Sequence, residues 1–263
     1  MPAAQAAEEG GAHHIEKLEW SFAGPFGRYD QAQLQRGFKV FREVCSSCHG
    51  MRQVAFRTLD QPGGPQFSDE EVKALAAEFM VTDGPNDEGD MFERAAIPSD
   101  RYPSPFPNEQ AARASNGGAY PPDFSLLAKA RAAHRGFPWF IFDAFTQYQE
   151  QGPDYIHALM LGYSDDVPED ITIPEGKYYN PVFLGGPAIG MPPPLMGDLV
   201  DYPDGTPQTV DQYAKDVAAF MMWAAEPHLN ERKKIGFRVI LYLLIFASLL
   251  YFTKAKIWRK VKH

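Results

Sequence analysis

Cysteine is scarce in this chain, which has only two among its 263 residues. Two cysteines cannot staple a disulfide-rich scaffold, so the folded core must come from side-chain packing. Glycine and proline number 22 and 23, which is above average but below the ~25–30% typical of low-complexity chains. Sequence patterns typical of strands are also weak. The sequence therefore predicts a mostly α fold with long ordered loops.

Positive charge is also scarce over most of the chain. From Asn230 onward there are nine basic residues and one acidic residue, whereas the preceding part carries 16 basic and 33 acidic residues. An acidic body of net charge −17 repels a phosphate backbone, so nucleic acid is excluded as a partner. The same body attracts a basic protein.

The chain ends in a long apolar run. Residues 235–253 read IGFRVILYLLIFASLLYFT, with one charge near the start. As a helix this run spans ~28 Å, about the thickness of a bilayer core. The alternative is a buried core helix, which rarely ends in a run such as KAKIWRKVKH. The sequence thus predicts an extracytoplasmic domain over residues 1–229 and a transmembrane anchor with a short basic tail over 230–263.

Several helix starts are indicated by side chains that cap a first turn. Ser68 with Glu71, and Thr209 with Gln212, match the capping-box pattern. Helices are predicted to follow Asp30 (through residue 45), Ser68, Asp123, Gly152-Pro153 and Thr209. Residues 81–122 and 164–208 are rich in proline and glycine, and loops of this length are expected to be functional or to wrap something.

Both cysteines lie in the motif Cys45-Ser46-Ser47-Cys48-His49. This C-x-x-C-H spacing is the signature of covalent c-type haem attachment, in which two thiols form thioethers and the histidine binds the iron. A redox-active dithiol would not need the histidine and would require a βαβ context. A zinc site would require two further ligands nearby, and a purely structural pair of cysteines does not explain the histidine. Haem is the interpretation that uses all three residues.

An electron-carrying haem needs a sixth iron ligand, which is methionine or histidine. Met191 and Met196 lie in the proline-stiffened loop GGPAIGMPPPLMGD, where a thioether can be held in place. His157 and His134 remain alternatives. Arg113 is one of several arginines, for which a surface role is the ordinary expectation from the residues alone.

Several segments in order resemble the cytochrome c1 family, the haem subunit of the cytochrome bc1 complex. They include FREVCSSCHGM, TDGPNDEGDMF, YPSPFPNEQAARASNGGAYPPDF, DYIHALMLGY, AIGMPPP and DGTPQTVDQYAKDVAAFMMWAAEPHLNERKKIGF. The resemblance covers roughly residues 20–260. It implies a cytochrome c-like haem domain with one C-terminal transmembrane helix. The segment HRGFPWFIFDAFTQYQEQGP, which precedes Tyr155, is longer than in mitochondrial forms and resembles bacterial ones.

The resemblance also implies roles for individual residues. Cys45 and Cys48 would hold one haem c, His49 and Met191 would be its axial ligands, and Arg113 would contact a haem propionate. Met196 has no counterpart. The implied activity is the electron-transfer part of a ubiquinol–cytochrome c oxidoreductase, with no acid, base or nucleophile on this chain.

The implied partners are cytochrome b, a Rieske iron–sulfur protein that delivers an electron, and a soluble, basic cytochrome c that receives it. The haem domain would lie in the periplasm or mitochondrial intermembrane space, with the C-terminus in the cytoplasm or matrix. The basic residues after the apolar run favour this orientation. Two other functions remain open: a free-standing tethered cytochrome c, and a haem-based sensor with an open axial position.

Overall fold

A computed structural model describes residues 15–131, 137–146 and 151–259. Over these residues the fold is mostly α, as predicted, with two short antiparallel hairpins. The helices are α1 (Gln31–Val40), α2 (Asp69–Ala77), α3 (Glu109–Ser115), α4 (Leu127–Ala130), α5 (Trp139–Thr146), α6 (Gln151–Leu161), α7 (Val210–Ala225) and α8 (Leu229–Trp258). The strands are β1 (Met80–Asp83), β2 (Phe92–Ala95), β3 (Tyr178–Tyr179) and β4 (Ala188–Ile189).

The core forms where α1 and α6 pack against α7. α7 is buried on nearly every side, including Tyr213, Phe220 and Trp223. Rings from different parts of the chain meet here: Phe38 and Phe41 contact Phe220 with centroids 5.6 and 5.9 Å apart. The packing fixes the end of α1, and the two cysteines follow directly from that end.

A buried ion pair ties the two central helices together. The Arg36 Nε of α1 donates to Asp216 Oδ2 of α7 at 2.9 Å, and the Asp216 side chain is fully buried. Gln212 also donates to this carboxylate at 2.8 Å. A buried charge is tolerated when it is paired and hydrogen-bonded in this way, and the pair fixes how the helices are aligned.

Three of the predicted helix caps form fully or in part. Asp30 accepts from the Gln33 amide, and Ser68 and Glu71 complete a reciprocal capping box. Thr209 accepts from the Gln212 amide, whereas the Gln212 side chain turns to Asp216 instead of closing the box. α6 begins at Gln151, two residues before Pro153.

Two details of the prediction are wrong. The helix from residue 31 does not stay α-helical to residue 45, because Phe41–Cys45 widens into a π-helical turn. Asp123 does not cap α4, which begins only at Leu127. The Asp123 carboxylate accepts instead from the backbone amides of Arg52 and Ser125, at 3.0 and 2.9 Å.

The two long loops are shaped by the short hairpins. β1 pairs with β2 with Met80 opposite Ala95 and Asp83 opposite Phe92, and Arg94 pairs with both Asp83 and Asp100. β3 pairs with β4, so Tyr178 lies opposite Ile189. This second hairpin places the residues that follow β4, which include Met191.

The C-terminal apolar run belongs to α8, a 30-residue helix long and apolar enough to cross a membrane. None of its most apolar 18-residue stretch is buried within the protein, so a core helix is the wrong interpretation. Its start packs on the body: Lys233 donates to the Phe22 carbonyl, and Tyr29 N–H donates to Asn230 Oδ1 at 3.1 Å.

The close approach of α1 and α7 gives a direct test of the fold. A Cβ added to Gly37 would collide with the backbone carbonyl of Asp216, which cannot move without displacing α7. We expect Gly37→Ala to lower the free energy of unfolding by about 1–3 kcal/mol. Gly236→Ala is the matched control, since that glycine is also helical and has no atom within 4 Å of the added Cβ. Chemical denaturation of the full chain in detergent measures both, and equal stabilities would contradict the packing.

Candidate haem site

The C-x-x-C-H motif follows the π-helical turn Phe41–Cys45. The Ser46 amide donates to the Phe41 carbonyl at 2.8 Å, and the amides of Cys48 and His49 both donate to the Cys45 carbonyl, at 3.1 and 2.9 Å. Widened turns of this kind are common at functional sites, because the extra residue re-aims the side chains after it. The turn brings Cys45, Cys48 and His49 close together at the end of α1, with both thiols half-buried.

His49 is held in the form that binds a metal. Its ring is buried, and Nδ1 donates to the Pro122 carbonyl at 2.8 Å. The ring also stacks on Phe124, with centroids 4.3 Å apart. Metal-binding histidines commonly donate their second nitrogen to a backbone carbonyl, which fixes the tautomer and the ring orientation. Nε2 of His49 is thereby the nitrogen left to bind iron.

Burial also sets the charge of this histidine. It lowers the pKa of His49, while the hydrogen bond to Pro122 and the nearby Asp123 act in the opposite direction. The ring is therefore neutral at pH 7, and neutral imidazole is the form that ligates metals.

The Cys45 thiol does not have the character of a redox-active thiol. Burial raises the pKa of Cys45 to about 12, and neighbouring Cys48 adds to the rise. A thiol that attacks disulfides needs a pKa near or below neutral. Among the described residues there is also no group of three or more His, Cys, Asp or Glu placed to hold a metal ion, as a zinc site would require.

Met191 follows directly after the β3–β4 hairpin. It is half-buried, and its carbonyl accepts a hydrogen bond from Tyr163 Oη at 3.1 Å. Met196 is 64% exposed, and His157 engages Asp211 through Nε2 at 2.8 Å. His134 lies outside the described residues. Of the described candidates for sixth ligand, Met191 is the one on a braced, half-buried loop.

One short irregular segment, Ala119–Pro122, contacts both the histidine and the methionine loop. At one end the Pro122 carbonyl accepts from His49. At the other end a Cβ on Gly190 would lie 2.9 Å from the Ala119 Cβ, so Gly190 packs directly on Ala119. Three residue steps of extended chain cover at most about 10 Å. His49 and Gly190, the residue before Met191, thus contact the same short stretch of backbone.

Two cavities border this region. One of about 290 Å³ is lined by His49 with aromatic and apolar side chains, among them Phe41, Phe79 and Tyr102. A second of about 80 Å³ includes Cys48, Tyr120 and Pro121. Neither cavity includes Met191, so Ala119–Pro122 is the feature that relates the two ligand candidates. The buried histidine with a free Nε2, the adjacent cysteines and the apolar lining fit the chemistry of a haem.

Arg113 lies beside the same segment. Its guanidinium bonds Glu109 at 2.7 and 2.9 Å and the Gly118 carbonyl at 3.0 Å, and it sits over the Tyr120 ring. The side chain is about half exposed, and it keeps donor hydrogens for another anion. Its role as a propionate partner stays a prediction, for which Arg52 on the smaller cavity is a structural rival.

Sequence reasoning missed the residues that support His49. Pro122 and Phe124 are 73 and 75 positions away, and no local pattern links them to the motif. The only signal was the Pro121-Pro122 pair inside a long loop, which predicts stiff extended backbone without showing what it contacts.

Comparison with known proteins identifies the family of this chain. Residues 20–261 match the model of the cytochrome c1 family. The chain belongs to this family, the haem-bearing electron-transfer subunits of the cytochrome bc1 oxidoreductase complex. The predicted resemblance is confirmed along almost the whole chain.

Three bacterial relatives support the bacterial type. Cytochrome b/c1 of Bradyrhizobium diazoefficiens is 61% identical over a stretch that covers 91% of this chain and 35% of that longer protein. Cytochrome c1 of Blastochloris viridis is 52% identical, covering 97% of this chain and 90% of the relative. Cytochrome c1 of Rhodospirillum rubrum is 48% identical, covering 99% and 93%.

Covalent attachment can be tested at the two cysteines. We expect Cys45→Ala and Cys48→Ala each to abolish the normal c-type spectrum, because each removes one predicted thioether bond. Ser47→Ala is the matched control, since Ser47 lies between the cysteines and is exposed. Haem staining after denaturing electrophoresis and the reduced visible spectrum are the measurements. An unchanged spectrum in both cysteine variants would contradict the site.

Proposed function

We propose that this chain binds one haem c and relays single electrons from a Rieske iron–sulfur protein to a soluble cytochrome c. Cys45 and Cys48 hold the haem covalently, and His49 and Met191 are its axial ligands. The observation that carries the proposal is the shared segment Ala119–Pro122, which contacts His49 at one end and Gly190, next to Met191, at the other. A haem bound there supplies a one-electron iron couple.

The residues of this chain set the properties of that couple. His49 keeps a fixed tautomer through Pro122, and such outer contacts tune the basicity of a ligand. Met191 as sixth ligand favours a higher reduction potential than a second histidine. Arg113 places positive charge near the propionates. No side chain of this protein acts as an acid, base or nucleophile, because the cofactor carries the chemistry.

The membrane anchor follows from α8. We assign residues 1–229 to the extracytoplasmic haem domain and 230–263 to the single-pass anchor and basic tail. Five basic residues within ten positions after the apolar run favour a cytoplasmic or matrix C-terminus, with the haem domain in the periplasm or intermembrane space. Cytochrome b and the Rieske protein are the membrane partners expected of a cytochrome bc1 subunit.

The acidic body suits a basic acceptor. Exposed carboxylates occur in three groups, and together they account for much of the surface negative charge: Asp69, Glu70 and Glu71; Asp87, Glu88 and Asp90; Asp165, Asp166, Glu169 and Asp170. A field of this sign steers a basic cytochrome c toward the protein and accelerates encounter. The attraction does not depend on any one group.

The ligand assignment is tested by paired methionine variants. We expect Met191→His and Met191→Ala to lower the midpoint potential sharply, because each removes the thioether ligand. Met196→Ala is the control, since Met196 is exposed on the same loop. A spectroscopic redox titration of the purified protein gives the potentials. Equal shifts at both methionines would overturn the assignment.

Steering by the acidic body predicts a salt dependence. We expect the second-order rate constant for oxidation by a basic cytochrome c to fall steeply as ionic strength rises from 0.01 to 0.15 M or so, where the Debye length shortens from about 30 to about 8 Å. An uncharged small-molecule oxidant is the control and should show little change. A flat profile with the basic protein would reject the steering.

A further inference from the structure

The two helices that flank the segment between α4 and α6 lie next to each other. A Cβ added to Gly152, at the start of α6, would collide with the Ala128 carbonyl in α4, so the two helices touch at this point. α5 lies within the intervening segment. Both ends of that segment are therefore fixed at the same end of the protein.

That end of the body is linked by ion pairs to the start of α8, just before the membrane-spanning run. Lys129 of α4 forms an ion pair with Glu226, which also pairs with Arg232 in α8. Arg232 precedes Ile235, the first residue of the apolar run, by three residues or about 4.5 Å of helix. The attachment point of the segment is thus linked, through two ion pairs that share Glu226, to a residue within one helical turn of the expected membrane boundary.

A second contact also lies near the start of the membrane-spanning run. The Phe26 ring lies edge-on to Phe237 of α8, with centroids 5.5 Å apart, although Phe26 is otherwise 70% exposed. Phe237 belongs to the apolar run itself. The loop that carries Phe26 therefore faces the same boundary as Lys129.

Four large apolar side chains of the segment keep 40% or more of their surface exposed. They form what we call the apolar strip: Phe137 (80% exposed), Trp139 (51%), Ile141 (40%) and Phe142 (54%). The one acidic residue of α5, Asp143, accepts from Gln151 Nε2 at 3.1 Å and so is turned toward the start of α6. Four such residues within six positions make an apolar patch that water does not favour.

We propose that the apolar strip lies in the interfacial layer of the bilayer that α8 crosses, as a second, non-spanning membrane contact. Tryptophan and phenylalanine on a short helix are the side chains that favour this layer. The inference rests on α8 being the membrane anchor, as proposed above. Two attachments, one spanning and one lying flat, restrict how the body can tilt about the start of α8.

The test places a single spin label at Phe142→Cys in the full-length holoprotein, reconstituted in phospholipid nanodiscs or within the purified complex. With Cys45 and Cys48 bound to haem, no other thiol of this chain competes for the label. Relaxation by oxygen, which concentrates in lipid, is compared with relaxation by a water-soluble nickel complex. Ile97→Cys, on an exposed apolar residue before Asp100, is the aqueous control, and Leu244→Cys in α8 is the membrane control.

We expect the oxygen-to-nickel ratio at residue 142 to be several-fold higher than at residue 97 and to approach that at residue 244. A ratio at residue 142 equal to that at residue 97 would place the strip in water and overturn the inference. Shielding of residue 142 from both reagents in the complex would assign the strip to a partner subunit and also overturn it. A low ratio at residue 244 would instead contradict the membrane anchor itself.

Discussion

The site depends on one hydrogen bond, from His49 Nδ1 to the Pro122 carbonyl. This contact engages Nδ1, so Nε2 is the nitrogen that the proposed iron ligand would use, and it joins the C-x-x-C-H motif to a segment far away in sequence. Three residues earlier the same segment packs on Gly190, so the loop that carries Met191 contacts the same piece of backbone. A pair of axial ligands requires two side chains at a fixed separation, and contacts to one short segment are what the proposed pair of His49 and Met191 would need.

The rest of the fold holds that arrangement in place. α1 delivers the cysteines because it packs closely on α7 at Gly37 and is pinned there by the buried pair of Arg36 and Asp216. α7 leads within four residues into α8, and Lys233 and Asn230 tie the start of α8 back to the body. α7 therefore packs on the helix that precedes the haem motif and also leads into the membrane-spanning helix. This arrangement suits a protein that presents its cofactor at a set height above a membrane.

Features encoded in neighbouring residues were predictable, and features made by distant contacts were not. The caps at Asp30 and Ser68 were predicted correctly, because each depends on residues within a few positions. The C-x-x-C-H motif is equally local, and its binding of haem stays a prediction. Asp123 was assigned wrongly to a helix cap, since its strongest competitor, the Arg52 amide, lies 71 positions away. The π-helical turn at Phe41–Cys45 has no simple periodic signature. The roles of Met191 and Arg113 came from the family resemblance, and the structure adds the neighbourhood that supports the first of them.

Haem binding and membership of the complex are tested most directly by the reduced-minus-oxidised visible spectrum of this protein purified from native membranes in mild detergent. We predict a c-type band together with b-type absorbance, because the chain should carry covalent haem and remain with a cytochrome b partner. A c-type band alone, persisting under several mild detergents, would favour a free-standing tethered carrier. The absence of any haem band would contradict haem binding by Cys45, Cys48 and His49.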